Sequence, residues 1–231
     1  GCFQEKGGHG TRLFGGTDGR YKFFWRGCKV GYAGVRVFVA EKWIEHIVGV
    51  DRISERIMGI KMVMGKMLVN VLSVYAPQVG RSEEKKDEFW NKVIQVVNSI
   101  PKNEKIILAG DLNGHVGKCS DGYTGIHGGF GYGRRNAEGE RILEFGDAVG
   151  MVICNTMFRK EEKHLITYAA GDVKSTVDYM LMRQENKNMA CNAKVVRNEE
   201  CVHKNHLLIV DCKMTEGRKM SRRKYEQKIR V

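Results

Sequence analysis

Lys105-Ile106-Ile107-Leu108-Ala109-Gly110-Asp111-Leu112-Asn113-Gly114-His115 is an apolar run that stops at a glycine and then presents an acid, an amide and an imidazole within five residues. Four consecutive apolar residues ending at a turn signal read as a buried strand. Polar groups placed where such a strand gives way to a loop are rigidly held and face solvent or substrate. Asp111 and Asn113 are two apart, so an extended backbone would turn both side chains to one side, where they can orient a water, a phosphate or a hydrated metal ion. The alternative is an Asx turn, in which Asp111 only bonds its own backbone. The stretch by itself leaves both readings open.

Outward from this run, Val35–Ala40 and Met67–Tyr75 are rich in β-branched residues and read as strands, the second closed by Pro77. Ser82-Glu83-Glu84 marks a helix start, and Phe89, Trp90, Val93, Ile94, Val97 and Ile100 follow at helical spacing up to Pro101. Between Gly114 and Gly133 lie eight glycines and no apolar period, which predicts a long mobile loop without P-loop spacing. Asn136 can cap a second helix carrying Ile142, Leu143, Phe145, Ala148 and Val149. Val152–Cys154, Leu165–Tyr168, Thr176–Met182 and Leu207–Val210 read as later strands. Several strands with two helices predict an α/β protein built on a mixed sheet or a sheet sandwich.

The 231 residues, 42% hydrophobic and 29% charged, suit one large globular domain, expected over 1–214, followed by a basic tail over 215–231. From Glu216 to Val231 seven basic residues face two acids, so the tail holds +5 of the net +12 and the body +7. Such a balance favours a polyanionic partner, nucleic acid first and an anionic membrane surface second, and the tail reads as a solvated extension able to meet phosphates. No apolar run is long enough to span a bilayer, so no membrane partner is expected. Gly1-Cys2-Phe3 reads as the start of a fragment. The seven cysteines show no C-x-x-C spacing and their odd number does not suggest a disulfide framework, which points to a reducing compartment, nuclear or cytoplasmic.

Polar residues recur where strands begin or end: Glu5, Tyr75, Asp111 with Asn113, Asp178, and Asn205 with His206. A carboxylate in a strand-like run such as Asp178 is costly if buried unpaired, and an imidazole is an attractive partner. In order, Cys2-Phe3-Gln4-Glu5-Lys6 resembles an "LQE" strand, Val74-Tyr75-Ala76-Pro77 an "xYxP" strand end, Gly110-Asp111-Leu112-Asn113 a "GDxN" motif, and Ser175-Thr176-Val177-Asp178-Tyr179 an "xxDYI" motif. Lys204-Asn205-His206 falls where that family carries "SDH". The chain resembles the endonuclease/exonuclease/phosphatase domains, of the apurinic-endonuclease-like type found in non-LTR retrotransposons. Within them it looks like the craniofacial-development-protein-2-like group related to RTE-type elements. The stretch from His127 to Phe145 is similar to that group in particular.

This resemblance implies a DNase I-like two-sheet α/β sandwich with a Mg²⁺-dependent (or Mn²⁺-dependent) phosphodiesterase site that nicks DNA. It makes Glu5 a metal ligand, Asp111 the group that positions or activates the attacking water, and Asn113 an orienter of water or phosphate. Tyr75 would contact the phosphate, and Asp178 would pair with His206. Asn136, Arg134 and Arg135 are candidate substrate contacts. His115 is a marginal candidate, and His9 reads as an ordinary polar position. Two departures stand out. The family's first strand, with its asparagine, would precede residue 1. At "SDH", Asn205 either replaces a metal-binding aspartate, costing a charge and a ligand, or takes the histidine's place in a shifted register. Three functions follow: a retrotransposon-derived nuclease, a nucleic-acid- or partner-binding protein with a degenerate site, or a phosphomonoesterase of the same superfamily.

Overall fold

A computed structural model describes residues 8–16, 19–27, 34–196 and 204–214; Glu5 and the tail over 215–231 lie outside the described residues. Strands β1 (Gly8–Gly16), β2 (Gly19–Gly27) and β3 (Gly34–Ala40) form an antiparallel sheet in that order. A six-stranded sheet follows, made of β4 (Ile47–Ser54), β5 (Ile57–Met64), β6 (Met67–Tyr75), β7 (Lys105–Asp111), β8 (Met151–Ile153) and β11 (Asp178–Arg183). Its spatial order is β4-β5-β6-β7-β11-β8. Between β8 and β11 runs the short ribbon β9 (Tyr168–Ala170) and β10 (Val173–Ser175), and the hairpin β12 (Ala190–Val196) and β13 (Leu207–Cys212) closes the described chain.

Within the large sheet β6 and β7 are parallel, and a parallel pair needs a crossover. Helix α1 (Glu83–Ser99) supplies it, with Glu83 and Glu84 favourably placed in its first turn. Helix α2 (Ala137–Val149) starts at Asn136, whose side-chain oxygen accepts from the Gly139 N–H at 2.8 Å, and stops at Gly150 in the left-handed conformation (φ 66°). Both helices cover one face of the sheet: Phe89, Trp90, Val93 and Val97 of α1 and Ile142, Leu143 and Phe145 of α2 pack on Leu72, Ile106, Leu108 and Leu181. The opposite face meets a second layer in two pieces. Phe24, Val35 and Val39 of the β1–β3 sheet lie on Met58 and Ile60, while Ala190, Val210 and Cys212 of the last hairpin lie on Val152, Cys154 and Met182. The α/β sandwich expected from the sequence is present.

Three expectations change. Leu165–Tyr168 is not a strand: Ile166 and buried Thr167 are in coil, and pairing begins only at Tyr168. The segment between Leu112 and Arg135 has neither helix nor regular strand, as its glycines dictate, but it is packed, with Leu112, Val116, Ile126 and His127 buried. The His127 ring accepts from the Gly129 N–H at 3.0 Å on Nδ1, so Nε2 carries the proton and donates to the Gly117 carbonyl at 3.0 Å. Strands β1, β2, β4, β5, β10 and β12, and β9 beyond Tyr168, have no counterpart in the sequence reading. None of the helices is long and apolar enough to cross a membrane, among the described residues.

Leu108 is fully buried midway along β7, opposite Leu72 on one neighbour and Leu181 on the other. Leu108→Ala should therefore destabilise the fold by about 2–5 kcal/mol in urea unfolding; a loss below about 1 kcal/mol would contradict the central place given to β7.

Candidate active site

The C-terminal end of β7 is where the chemistry collects. In parallel register Tyr75 lies beside Asp111, and in antiparallel register Asp178 lies directly opposite it. Cross-strand partners of this kind hold their Cα atoms roughly 4.5–5.5 Å apart. By strand alternation the three side chains share the face turned away from the helices, towards the second layer. Gly110 makes the approach possible. Its φ is 156°, and a Cβ there would sit 1.8 Å from the Val74 carbonyl oxygen, so no other residue fits between β6 and Asp111.

Asp111 is gripped on both sides. Its carbonyl accepts from the Ala76 N–H at 2.9 Å, and the following Leu112 N–H donates to Val177 at 2.8 Å. Its Oδ1 accepts from the Asn113 N–H at 2.9 Å, which is an Asx turn. Asn113 is left-handed (φ 50°), and its side-chain amide donates back to the Ala76 carbonyl at 2.9 Å. The two readings of the sequence thus coexist: the turn is what aims the acid and the amide. Tyr75 is held by Arg56, whose guanidinium lies 5.1 Å from the ring centroid and donates to the carbonyls of Tyr75 at 3.0 Å and Ala76 at 3.3 Å.

Asp178 rests on residues that the sequence did not mark. Fully buried Thr167 accepts from the Val177 and Asp178 N–H groups at 3.0 and 3.2 Å, and its hydroxyl bonds the Asp178 carboxylate. Asn155 donates to the Asp178 carbonyl at 2.9 Å and accepts from Met180 at 3.0 Å. The hydroxyl of fully buried Tyr179 lies 3.0 and 2.8 Å from the carbonyls of Gly114 and Thr176, which share its one proton, and so ties the loop after Asn113 to β11. A buried Thr, Asn or Tyr has no local sequence signature; its role depends on chain segments brought together by folding.

Asn205 and His206 reach this end through the same threonine. Asn205 bridges Tyr168, and the His206 N–H donates to the Thr167 carbonyl at 2.7 Å. The expected Asp178–His206 pair is not made: Asp178 takes the Thr167 hydroxyl, and its neighbour across the strand is the acid Asp111. No three His, Cys, Asp or Glu side chains converge as a metal cage among the described residues.

With two acids abreast, burial and the Asp178 charge push Asp111 up to about 6, against the small opposing effect of the Asn113 N–H. Burial also raises Asp178, partly offset by Thr167. Burial lowers His115, so its imidazole is neutral at pH 7.

The remaining candidates divide. The Asn136 side-chain oxygen is already used by Gly139 and by the His115 N–H at 2.9 Å. The Arg135 guanidinium bonds the carbonyls of Val116, Cys119 and Asp121 and the Glu140 carboxylate, and lies over the Tyr123 ring. Its work is to brace the glycine-rich segment rather than to reach outward, which corrects its assignment as a substrate contact. Arg134 is exposed.

Comparison with known proteins adds the following. No family model matches the chain. Craniofacial development protein 2 of Bos taurus is 27% identical over 195 residues, which cover 84% of this chain and 33% of that protein. The chain thus spans about a third of the length of the curated relatives it matches. Among solved structures, the endonuclease domain of TRAS1, a telomere-specific non-LTR retrotransposon, superposes with a TM-score of 0.58 at 14% identity, over 87% of this chain and 78% of that one. A 3' phosphatase from Neisseria, NExo, bound to product DNA hairpin, gives 0.61 at 14% identity over 84% and 79%. At these identities the structural likeness is one of fold.

Two outcomes follow from this geometry. Because Asp111 holds its proton more tightly folded than unfolded, its ionisation lowers stability as pH rises from about 4 to about 6 and by a constant amount above, about 3 kcal/mol at most. Asp111→Asn, which keeps the acceptor of the Asx turn, should raise Tm by several degrees at pH 7 and by almost nothing below about pH 4, read by calorimetry. An equal effect at both values would contradict the crowding of the two acids. Arg135→Gln should cost about 1–3 kcal/mol in urea unfolding and Arg134→Gln less than about 0.5 kcal/mol; the reverse order would restore Arg135 as a ligand contact.

Proposed function

We infer, from a chain that has the endonuclease/exonuclease/phosphatase fold and is craniofacial development protein 2-like in sequence, that this protein is a metal-dependent phosphodiesterase that nicks DNA. The observation that carries the reading is the register of β7, with Tyr75 on one side of Asp111 and Asp178 on the other at a single sheet end. The net charge of +12 supports a polyanionic substrate.

A hard divalent cation suits this corner. Its donors are carboxylate and amide oxygens, and two facing acids leave negative charge with no compensating cation beside them among the described residues. Glu5 and Asn205 are the residues that would hold it. When bound, Mg²⁺ or Mn²⁺ would neutralise the phosphate and polarise it towards attack. The chain's own residues do the rest. Asp111, with a carboxyl group that titrates near 6, is ionised at neutral pH and basic enough to take a proton from an attacking water. Asn113, fixed by its two hydrogen bonds, orients that water or a phosphate oxygen. The Tyr75 hydroxyl can donate to the phosphate, held in place by Arg56 and by Gln78 at 3.4 Å. His206 would be the donor to charge developing on the phosphoryl group.

A second reading rests on one observation. Asn205 is a neutral, exposed amide, and the Asp178–His206 pair is absent, which favours a chain that binds nucleic acid without cleaving it. Conversion of supercoiled plasmid to the nicked circle separates the two. The first reading expects nicking that needs Mg²⁺ or Mn²⁺, stops with EDTA, and falls at least about 100-fold in Asp111→Ala. Plasmid that is bound but never nicked would replace it with the second.

A further inference from the structure

Away from the acidic corner, the face of the β1–β3 sheet turned from the large sheet carries a ladder of aromatic rings. Phe24, Val35 and Val39 point inward to Met58 and Ile60. By alternation, Arg12 and Phe14 of β1, Phe23 and Trp25 of β2, and Arg36 and Phe38 of β3 therefore share the outer face. Trp25 stacks on Phe23, with centroids 5.1 Å apart and planes at 17°, and Phe23 stacks on Phe38 at 4.4 Å and 24°. Phe14 meets Phe23 edge-on at 5.7 Å. One end of the ladder rests on bare backbone: Gly10 lies opposite Trp25 in register, and a Cβ there would come within 2.3 Å of the indole. The other end is open, because Phe38 has one face on Phe23 and is still 59% exposed.

The charge around these rings has one sign. The three strands carry Arg12, Arg20, Lys22, Arg26 and Arg36 and no acidic residue. Arg20 is paired with Glu41 at 3.2 Å. Arg12 and Arg36 are exposed on the outer face, and the Arg12 guanidinium lies 5.4 Å from the Phe14 centroid. Two copies of this face would set arginines against arginines with no acid between them, which disfavours self-association. A stack of rings with an open π face and a guanidinium beside it suits unpaired bases on a phosphate backbone.

We propose that the outer face of the β1–β3 sheet binds single-stranded nucleic acid, with a base extending the ring ladder on Phe38 and Arg12 taking a phosphate beside it. The site is separate from the acidic corner and does not depend on the phosphodiesterase reading. A duplex keeps its bases paired and stacked on one another, so the face selects unpaired strands. Stacking of this kind tolerates any base and reads no sequence.

The test compares binding of a fluorescein-labelled oligo-dT and of a blunt duplex of the same length by the full chain in EDTA. Phe38→Ala should weaken oligo-dT binding at least about fivefold and leave duplex binding unchanged, while Phe38→Tyr, which keeps a ring, should bind like wild type. Arg12→Gln should lower the slope of log Kd against log salt for oligo-dT by about 0.7. Equal weakening on both ligands, no weakening on oligo-dT, or a wild type that does not bind oligo-dT overturns the proposal. So does a self-association lost in Phe38→Ala by analytical ultracentrifugation while oligo-dT binding is unchanged, which would make the face a contact between copies. A response to Phe38→Ala seen with phosphatidylserine vesicles but not with oligo-dT overturns it equally. Plasmid nicking is read separately: its absence removes the phosphodiesterase reading and leaves this one standing on oligo-dT.

Discussion

The position of β7 between a parallel and an antiparallel neighbour governs this molecule. Its middle is ordinary core, Leu108 between Leu72 and Leu181. Its end is where the same register sets Tyr75, Asp111 and Asp178 abreast. Packing that stabilises one part of the strand therefore imposes two neighbouring, half-buried carboxylates on the other. A left-handed Asn113 and a glycine with no room for a side chain lie at the same end. Such conflicts with local preference persist only where surrounding structure holds them, and they gather at sites of function.

Much of this end was legible beforehand, for a physical reason. Asp111, Asn113 and Tyr75 each follow an apolar strand at a turn signal, so a short window contains both the strand and the exposed group. Asp178 stood out as a charge in an apolar run. Thr167, Asn155 and Tyr179 did not, because their hydrogen bonds go to segments 10 to 65 residues away. Thr167 was absorbed into a false strand, since Leu165-Ile166-Thr167-Tyr168 has the composition of one; its hydroxyl instead takes the N–H groups of Val177 and Asp178. Strands β4 and β5 were hidden by Asp51, Arg52, Glu55 and Arg56, which interrupt the alternation at their shared turn. The glycine-rich segment has the composition of an open loop, yet buried His127 and the Arg135 clamp close it from within.

Asymmetry between the two sides of Asp111 shapes the functional reading. On the Tyr75 side the strand end is held by the Arg56 guanidinium, which lies over the Tyr75 ring and donates to the carbonyls of Tyr75 and Ala76. On the Asp178 side the expected imidazole pair is replaced by a threonine hydroxyl, and the next group outward is an amide. The proposed base and its orienting amide are thus fixed by hydrogen bonds, while the groups opposite them depart from the pattern that the resemblance implies. This is the structural form of the choice between cleavage and binding.

The central claim is that Asp111 activates a water that attacks a phosphodiester. The most direct test is cleavage of plasmid with Mg²⁺ in ¹⁸O-labelled water, followed by mass spectrometry of the new ends. The account predicts one ¹⁸O in the terminal phosphate of each nick, and no labelled ends with Asp111→Asn. Unlabelled phosphate ends, or labelled ends formed equally well without the Asp111 carboxylate, would contradict it.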